Sequence, residues 1–149
     1  MLVICCGNLD RGDDGAGLLV AQRLRSMEVP CVVQSGEALS LIEAWRGVAD
    51  VVVVDAVITG APPGTISVWD AHTADLAGRW FRCSTHFLGV AEAVGIARNL
   101  NCLPRRLRIY GIEARRFEPG SRPSAAVMKG VEEAAEQIVR EYPLCLNLL

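Results

Sequence analysis

Four consecutive valines, residues 51–54, constrain the fold more than any other stretch of the chain. β-Branched side chains favour extended backbone, so this run predicts a strand. Because the run has no polar face, both sides of the strand must be covered, as in a parallel sheet with helices on each side. Asp55 follows directly, and we expect its carboxylate to lie at the carboxyl end of this central strand.

Other strand-like segments alternate with helical ones along the chain. The segment that begins at Ile66 follows Asp55 after about ten residues, which include Gly60, Pro62 and Pro63. A parallel crossover needs roughly a dozen residues, usually with a helix, so this strand should run antiparallel. The pattern predicts an α/β fold, a three-layer αβα sandwich around a mixed, mostly parallel sheet of about five strands with one antiparallel strand. The predicted strands are residues 2–6, 31–34, 51–55, 66–69 and 107–112, and the predicted helices are residues 14–27, 39–46, 86–99 and one beginning at Pro123.

Length and charge limit the class of protein. The chain has 149 residues and no linker or repeat, so residues 1–149 are expected to form a single domain. The formal net charge is −2, and we interpret the arginine doublets at 105–106 and 115–116 as solvated loop or strand-end charges. No apolar run approaches the ~20 residues of a membrane span, and no charged segment precedes the first strand as in a signal peptide. We therefore expect a cytoplasmic protein with neither a nucleic-acid nor a membrane partner.

Six cysteines are present, a number that can indicate disulfides or a metal site. None of them forms a C-x-x-C pair, and several lie inside apolar runs. In a reducing compartment, free cysteines are usually small buried side chains, and we predict that role here. A nucleophilic pairing of Cys83 with His86 is the alternative.

The segment of residues 6–17 lies between the first strand and the first helix and is rich in glycine and aspartate. Such turns often hold phosphate groups, but Asp13 and Asp14 stand where a phosphate would bind. A cation or a polarised substrate group is therefore the better ligand. Gly7, Asn8 and Gly15 are expected to shape this turn, with Asp13 as a cap or support.

Asp14, Asp55 and His86 lie in three connections that this fold can bring to one edge of the sheet. Two carboxylates and one imidazole suit a borderline divalent ion. A helix N-terminus disfavours the charged imidazole, which leaves the neutral form that binds metal. Each residue also has a simpler interpretation: Asp14 as a helix-start acid, His86 as a surface residue, and Asp55 as a buried acid that needs some partner.

Four segments together resemble the hydrogenase maturation endopeptidases. The first has the pattern Gly-Asn-x4-Asp-Asp-Gly-x-Gly from Gly7 to Gly17. The others are Val53-Val54-Asp55-Ala56, Thr85-His86-x-Leu88-Gly89 and Gly111-Ile112-Glu113. The resemblance extends over most of the chain.

The resemblance implies an endopeptidase that removes a C-terminal peptide from the nickel-loaded precursor of the large subunit of a nickel-iron hydrogenase. Asp14, Asp55 and His86 would contact nickel held by that precursor, so no metal cofactor of the protein's own is expected. Gly36 and Glu37 stand where many relatives have an Asp-Gly-Gly turn, and we expect them to help seat the substrate. The protein is expected to be a monomer whose partner is this precursor.

Two questions stay open at this point. The three residues could carry out hydrolysis, with one carboxylate as general base, or they could only recognise nickel. The alternative function is a metal-checking chaperone that binds the precursor without cleaving it.

Overall fold

The computed structural model describes residues 1–76 and 85–142, with side chains for residues 1–76 and 89–142. No helix in these ranges is long and apolar enough to cross a membrane. A short 3₁₀ turn at Gly12–Gly15 precedes the first helix. The strands are β1 (Leu2–Cys6), β2 (Val32–Gln34), β3 (Asp50–Val57), β4 (Ile66–Asp70) and β5 (Arg106–Glu113), and the helices are α1 (Ala16–Ser26), α2 (Ala38–Trp45), α3 (Thr85–Asn99) and α4 (Ala125–Glu141).

The five strands form one mixed sheet in the order β2-β1-β3-β5-β4. β1 pairs in parallel with β2 and β3, and β3 pairs in parallel with β5. β4 runs antiparallel to β5, at the edge of the sheet. The predicted α/β class and the antiparallel direction of the fourth strand are confirmed. β4 does not pair with β3. After β4 the chain continues through α3 to β5, and β5 lies between β3 and β4.

β3 is buried along almost its whole length, because helices cover both faces of the sheet. On one face, Val52, Val54 and Ala56 pack in the core formed with α1 and α4. On the other, Val53 and Val57 pack in the core formed with α2 and α3. Side chains alternate along a strand, so Asp55 belongs to the face covered by α2 and α3.

Several element boundaries differ from the predicted ones. β3 continues for two residues beyond Asp55, since Ala56 and Val57 still pair with β5. α1 begins at Ala16 instead of about residue 14, because the 3₁₀ turn occupies the preceding residues. α4 begins two residues after Pro123, with Ser124 as its N-cap accepting a hydrogen bond from the Val127 N–H at 3.4 Å.

The cysteines are not uniformly buried as predicted. Cys5 and Cys6 are buried, Cys31 is half-buried and Cys102 is exposed. A hydrogen bond with Cys5, assisted by the positive charge of Arg25, lowers the pKa of Cys31 to about 6, although partial burial acts in the opposite direction. The prediction of a buried side chain is wrong for Cys102, which is exposed and follows the end of α3. Cys83 and Cys145, together with the apolar tail at residues 143–149, lie outside the described residues.

Gly17 lets α1 approach the backbone of the sheet directly. A Cβ atom at this position would lie 2.0 Å from the carbonyl oxygen of Cys6 and 2.8 Å from that of Val54. Both contacts involve backbone atoms, so relief requires moving α1 away from β1 and β3. We expect Gly17→Ala to lower the free energy of unfolding by about 1–3 kcal/mol in urea unfolding followed by circular dichroism.

Gly95 provides a matched control for that substitution. It also lies within a helix, α3, but a Cβ added there would meet nothing within 4 Å. Gly95→Ala should therefore raise stability by about 0.5–1 kcal/mol through helix propensity alone. Equal effects of the two substitutions would contradict the close helix–sheet contact.

Candidate active site

The predicted site segments converge at the carboxyl edge of the parallel strands. The turn after β1 carries Asp14, β3 carries Asp55 near its end, and α3 begins at Thr85. The first turns of α3 pack on the loop after β2: a Cβ atom at Gly89 would lie only 1.9 Å from the carbonyl oxygen of Gly36. The buried Gly36 and the exposed Glu37 therefore lie beside the part of α3 that contains His86. Their role in seating a substrate stays a prediction.

The turn after β1 is closed by hydrogen bonds that set the position of Asp14. The Asn8 N–H donates to the carbonyl oxygen of Asp14 at 3.0 Å, and the Asn8 side-chain oxygen accepts from the Asp10 N–H at 2.9 Å. Gly7 has a φ of +152°, and a Cβ atom there would lie 2.4 Å from the Asp14 carbonyl oxygen. Only glycine allows this close return of the chain, and Gly15 is likewise buried within the turn.

Asp13 ties this turn to the segment that leads into α4. Its Oδ2 atom accepts hydrogen bonds from the N–H groups of Arg115 at 3.0 Å and Arg116 at 2.9 Å. Its Oδ1 atom accepts from the Ser124 N–H at 2.7 Å. Burial alone would raise the pKa of Asp13, but the N–H groups of Arg116, Ser124 and Arg115 together lower it. Asp13 is therefore a structural support and does not cap α1, whose N-cap is Gly15.

Asp14 and Asp55 are both fully buried. Asp55 Oδ1 accepts a hydrogen bond from the Ala56 N–H at 2.8 Å, whereas its Oδ2 has no hydrogen-bond donor among the described residues. Burial raises the pKa of Asp55 well above its ordinary value; the Ala56 N–H opposes this, and the negative charge of Asp14 raises the pKa further. The two carboxylates thus interact electrostatically in a dry environment, an arrangement that a divalent cation would stabilise.

The third predicted ligand can be located only by its backbone. His86 lies in the first turn of α3, and its side chain falls outside the described residues. Among the described side chains, no group of three histidine, cysteine or acidic residues could hold a metal ion. The complete ligand set therefore stays a prediction.

His72 is exposed and lies at the opposite edge of the sheet. Its Nε2 atom is 2.8 Å from the carbonyl oxygen of Pro104, which precedes β5. It is remote from the segments that carry Asp14 and Asp55. The described histidine therefore offers no ligand to this site.

The role of Glu113 was not predicted, since Glu113 lies one residue beyond the predicted last strand, residues 107–112. Glu113 instead ends β5 and is almost fully buried. Its carboxylate accepts hydrogen bonds from the Thr59 N–H at 2.7 Å, the Thr59 hydroxyl at 2.8 Å and the Gly60 N–H at 3.0 Å. These bonds shape the loop that follows β3 beside the candidate site. The segment Gly111-Ile112-Glu113, one of those that carry the family resemblance, was the sequence feature that pointed to Glu113.

Comparison with known proteins points to one family. The profile of the hydrogenase maturation protease family (HycI) matches residues 20–141 of the chain. A Methanocaldococcus jannaschii protein whose name places it among the hydrogenase maturation proteases is 29% identical over 160 aligned positions, covering 95% of each chain.

Two solved structures share the fold. The NiFe hydrogenase maturation protease HybD from Thermococcus kodakarensis aligns with a TM-score of 0.77 at 22% identity, covering 94% of this chain and 97% of that one. The hydrogenase maturating endopeptidase HybD from E. coli aligns with a TM-score of 0.73 at 21% identity, covering 94% and 90% of the two chains. At these identities the structural matches establish the fold, and the profile match establishes the family.

The Asp13 support makes a prediction about stability and pH. In Asp13→Asn an NH2 group replaces one of the two accepting oxygens, so we expect the free energy of unfolding at pH 7 to fall by about 2–4 kcal/mol. Because the folded-state pKa of Asp13 is lowered, its contribution is present above the unfolded pKa of about 3.9 and is lost as the pH falls through the folded value. Urea unfolding at several pH values measures this difference.

Asp10→Asn is the matched control for that experiment. Asp10 is exposed in the same turn, and only its backbone oxygen is bonded to the neighbouring loop, accepting from the Gly120 N–H. Its substitution should change stability by less than about 0.5 kcal/mol. A gap between wild type and Asp13→Asn that stays constant from neutral to acidic pH would contradict a charge-dependent support.

Proposed function

The chain belongs to the hydrogenase maturation protease family, and from this premise we propose that it removes a C-terminal peptide from the nickel-loaded precursor of a nickel-iron hydrogenase large subunit. Within this proposal, Asp14, Asp55 and His86 contact nickel that the precursor carries. The protein then needs no metal cofactor of its own.

The observation that carries the proposal is the pair of fully buried carboxylates, Asp14 and Asp55, at the carboxyl edge of the sheet. Burial raises the pKa of Asp55, and the negative charge of Asp14 raises it further, so a nearby cation would lower the cost of keeping both groups ionised. A cation that arrives with the substrate would provide this stabilisation only in the complex. Such a site would bind a nickel-loaded precursor more tightly than an empty one.

His86 would complete the ligand set from the first turn of α3, which packs beside Gly36 and Glu37. Carboxylate oxygens and an imidazole nitrogen suit a borderline ion such as nickel, and further ligands would come from the precursor. The loop at Gly36 and Glu37 would then seat the C-terminal extension next to the metal.

The proposed chemistry is hydrolysis of one peptide bond. A carboxylate oxygen of Asp14 or Asp55 that is not bound to the metal accepts a proton from a water molecule. As the proton leaves, the water oxygen attacks the carbonyl carbon of the peptide bond. Polarisation of that carbonyl by the substrate's metal or by nearby N–H groups stabilises the charge that develops. The bond to nitrogen then breaks, and the proton passes to the departing amine.

Mass measurement of the large subunit tests this proposal. Incubation with nickel-loaded precursor should remove a C-terminal fragment, and nickel-free precursor should stay intact. A stable complex with unchanged precursor mass would instead identify a metal-checking chaperone. Absence of binding to either precursor would exclude both functions, and equal cleavage of both would exclude nickel recognition.

Substitutions separate the site from the rest of the molecule. Asp14→Asn, Asp55→Asn and His86→Gln should each slow cleavage by about 10²–10⁴-fold, because each removes a ligand or the general base. His72→Gln is the control for His86→Gln, since His72 lies at the opposite edge of the sheet. Its cleavage rate should match wild type, and full activity of His86→Gln would remove His86 from the site.

A further inference from the structure

Four exposed arginines lie beside the candidate site, in two loops at the carboxyl edge of the sheet: Arg11, Arg115, Arg116 and Arg122. None of them forms an ion pair with an acidic side chain among the described residues. Elsewhere in the described part of the chain, the arginines that pair with carboxylates are Arg23, Arg46, Arg106, Arg108 and Arg140, whereas Arg25, Arg98 and Arg105 form no such pair. The four side chains are thus available to an external anion.

Backbone hydrogen bonds hold the two loops together. The Asp13 N–H donates to the carbonyl oxygen of Arg116 at 2.7 Å, and the Gly120 N–H donates to that of Asp10 at 2.7 Å. The Asp13 carboxylate accepts from the N–H groups of Arg115 and Arg116. The arginines are therefore grouped by the same contacts that position the turn carrying Asp14.

On these two loops the exposed arginines outnumber the exposed acids. Asp13 is buried and hydrogen-bonded, as is Glu113 at the end of β5. The exposed acids on the same two loops are Asp10 and Glu118. An external anion therefore meets more guanidinium groups than carboxylates on this surface.

Arg115 also lines a cavity of about 300 Å³ together with Ile58, Ala61 and Phe117. The cavity lies on the side of β3 and β5 where the strands end. An extended chain crossing this edge thus meets both a concave apolar surface and guanidinium groups.

We propose that Arg11, Arg115, Arg116 and Arg122 form a docking surface for an acidic segment of the precursor. This inference rests on the proposed function. Guanidinium groups bind carboxylates through paired, charge-assisted hydrogen bonds, and a like-charged cluster at the rim of a site speeds the encounter with an oppositely charged partner. A protein segment is favoured over RNA because the neighbouring site belongs to a family of proteases.

Charge reversal on either side of β5 provides the test. Arg115→Glu with Arg116→Glu changes the doublet just beyond the end of β5. Arg105→Glu with Arg106→Glu makes the same change in charge at its opposite end. At about 50 mM salt, we expect the first double variant to lower kcat/KM for cleavage of nickel-loaded precursor about tenfold or more, mainly through KM. The second should stay within about twofold of wild type, and salt should reduce the difference.

A direct binding measurement keeps the two proposals separable. Fluorescence anisotropy with a labelled oligoglutamate peptide should show binding to wild type and to Arg105→Glu/Arg106→Glu. Binding to Arg115→Glu/Arg116→Glu, and to a second variant, Arg11→Glu/Arg122→Glu, should be at least about tenfold weaker. Melting temperatures confirm that each variant folds; the N–H donors to Asp13 belong to the backbone and are retained.

If wild type cleaves the precursor but both doublet variants behave alike in cleavage and in peptide binding, the docking surface is wrong and the proposed function stands. If wild type leaves nickel-loaded precursor intact, the proposed function fails, and selective loss of peptide binding still supports an acidic partner. Binding of an oligouridylate RNA at least as tightly as the peptide would overturn the assignment to a protein segment.

Discussion

The buried carboxylate of Asp13 is the contact on which the arrangement of the site depends. It joins the turn after β1 to the N–H groups of Arg115, Arg116 and Ser124, more than 100 residues further along the chain. Charge-assisted bonds of this kind are stronger than neutral ones, and burial removes competition from water. One side chain thereby connects the turn that carries Asp14 to the loop that carries Arg115 and Arg116, at the carboxyl edge of the sheet.

Asp55 is a buried acid with fewer hydrogen-bond donors than Asp13. Asp13 is saturated with donors, whereas Asp55 receives one bond, from the Ala56 N–H, and its pKa is raised by burial and by the nearby charge of Asp14. Stability alone does not favour such a pair, since two apolar side chains would be easier to bury. The proposed contact with a cation carried by the substrate would account for the presence of this pair.

The two edges of the sheet differ in how they treat charge. At the amino edge, Arg108 is almost buried and pairs with Asp50 at 3.0 Å and with Glu141 of α4. These partners belong to the chain itself and fasten α4 to the sheet. At the carboxyl edge, the proposals assign the buried carboxylates and the exposed arginines to contacts with the precursor. β5 connects these two edges of the sheet.

Much of the fold follows from the sequence alone, because strand burial and helix periodicity depend on neighbouring residues. The valine run before Asp55 determines a central strand, the short connection before Ile66 determines an antiparallel one, and the turn chemistry singles out Asp14. Only the tertiary structure decided that β5 lies between β3 and β4, that Glu113 is buried, and that Asp13 binds the segment before α4. Those outcomes depend on contacts between residues roughly 50 to 110 positions apart, which no local pattern encodes.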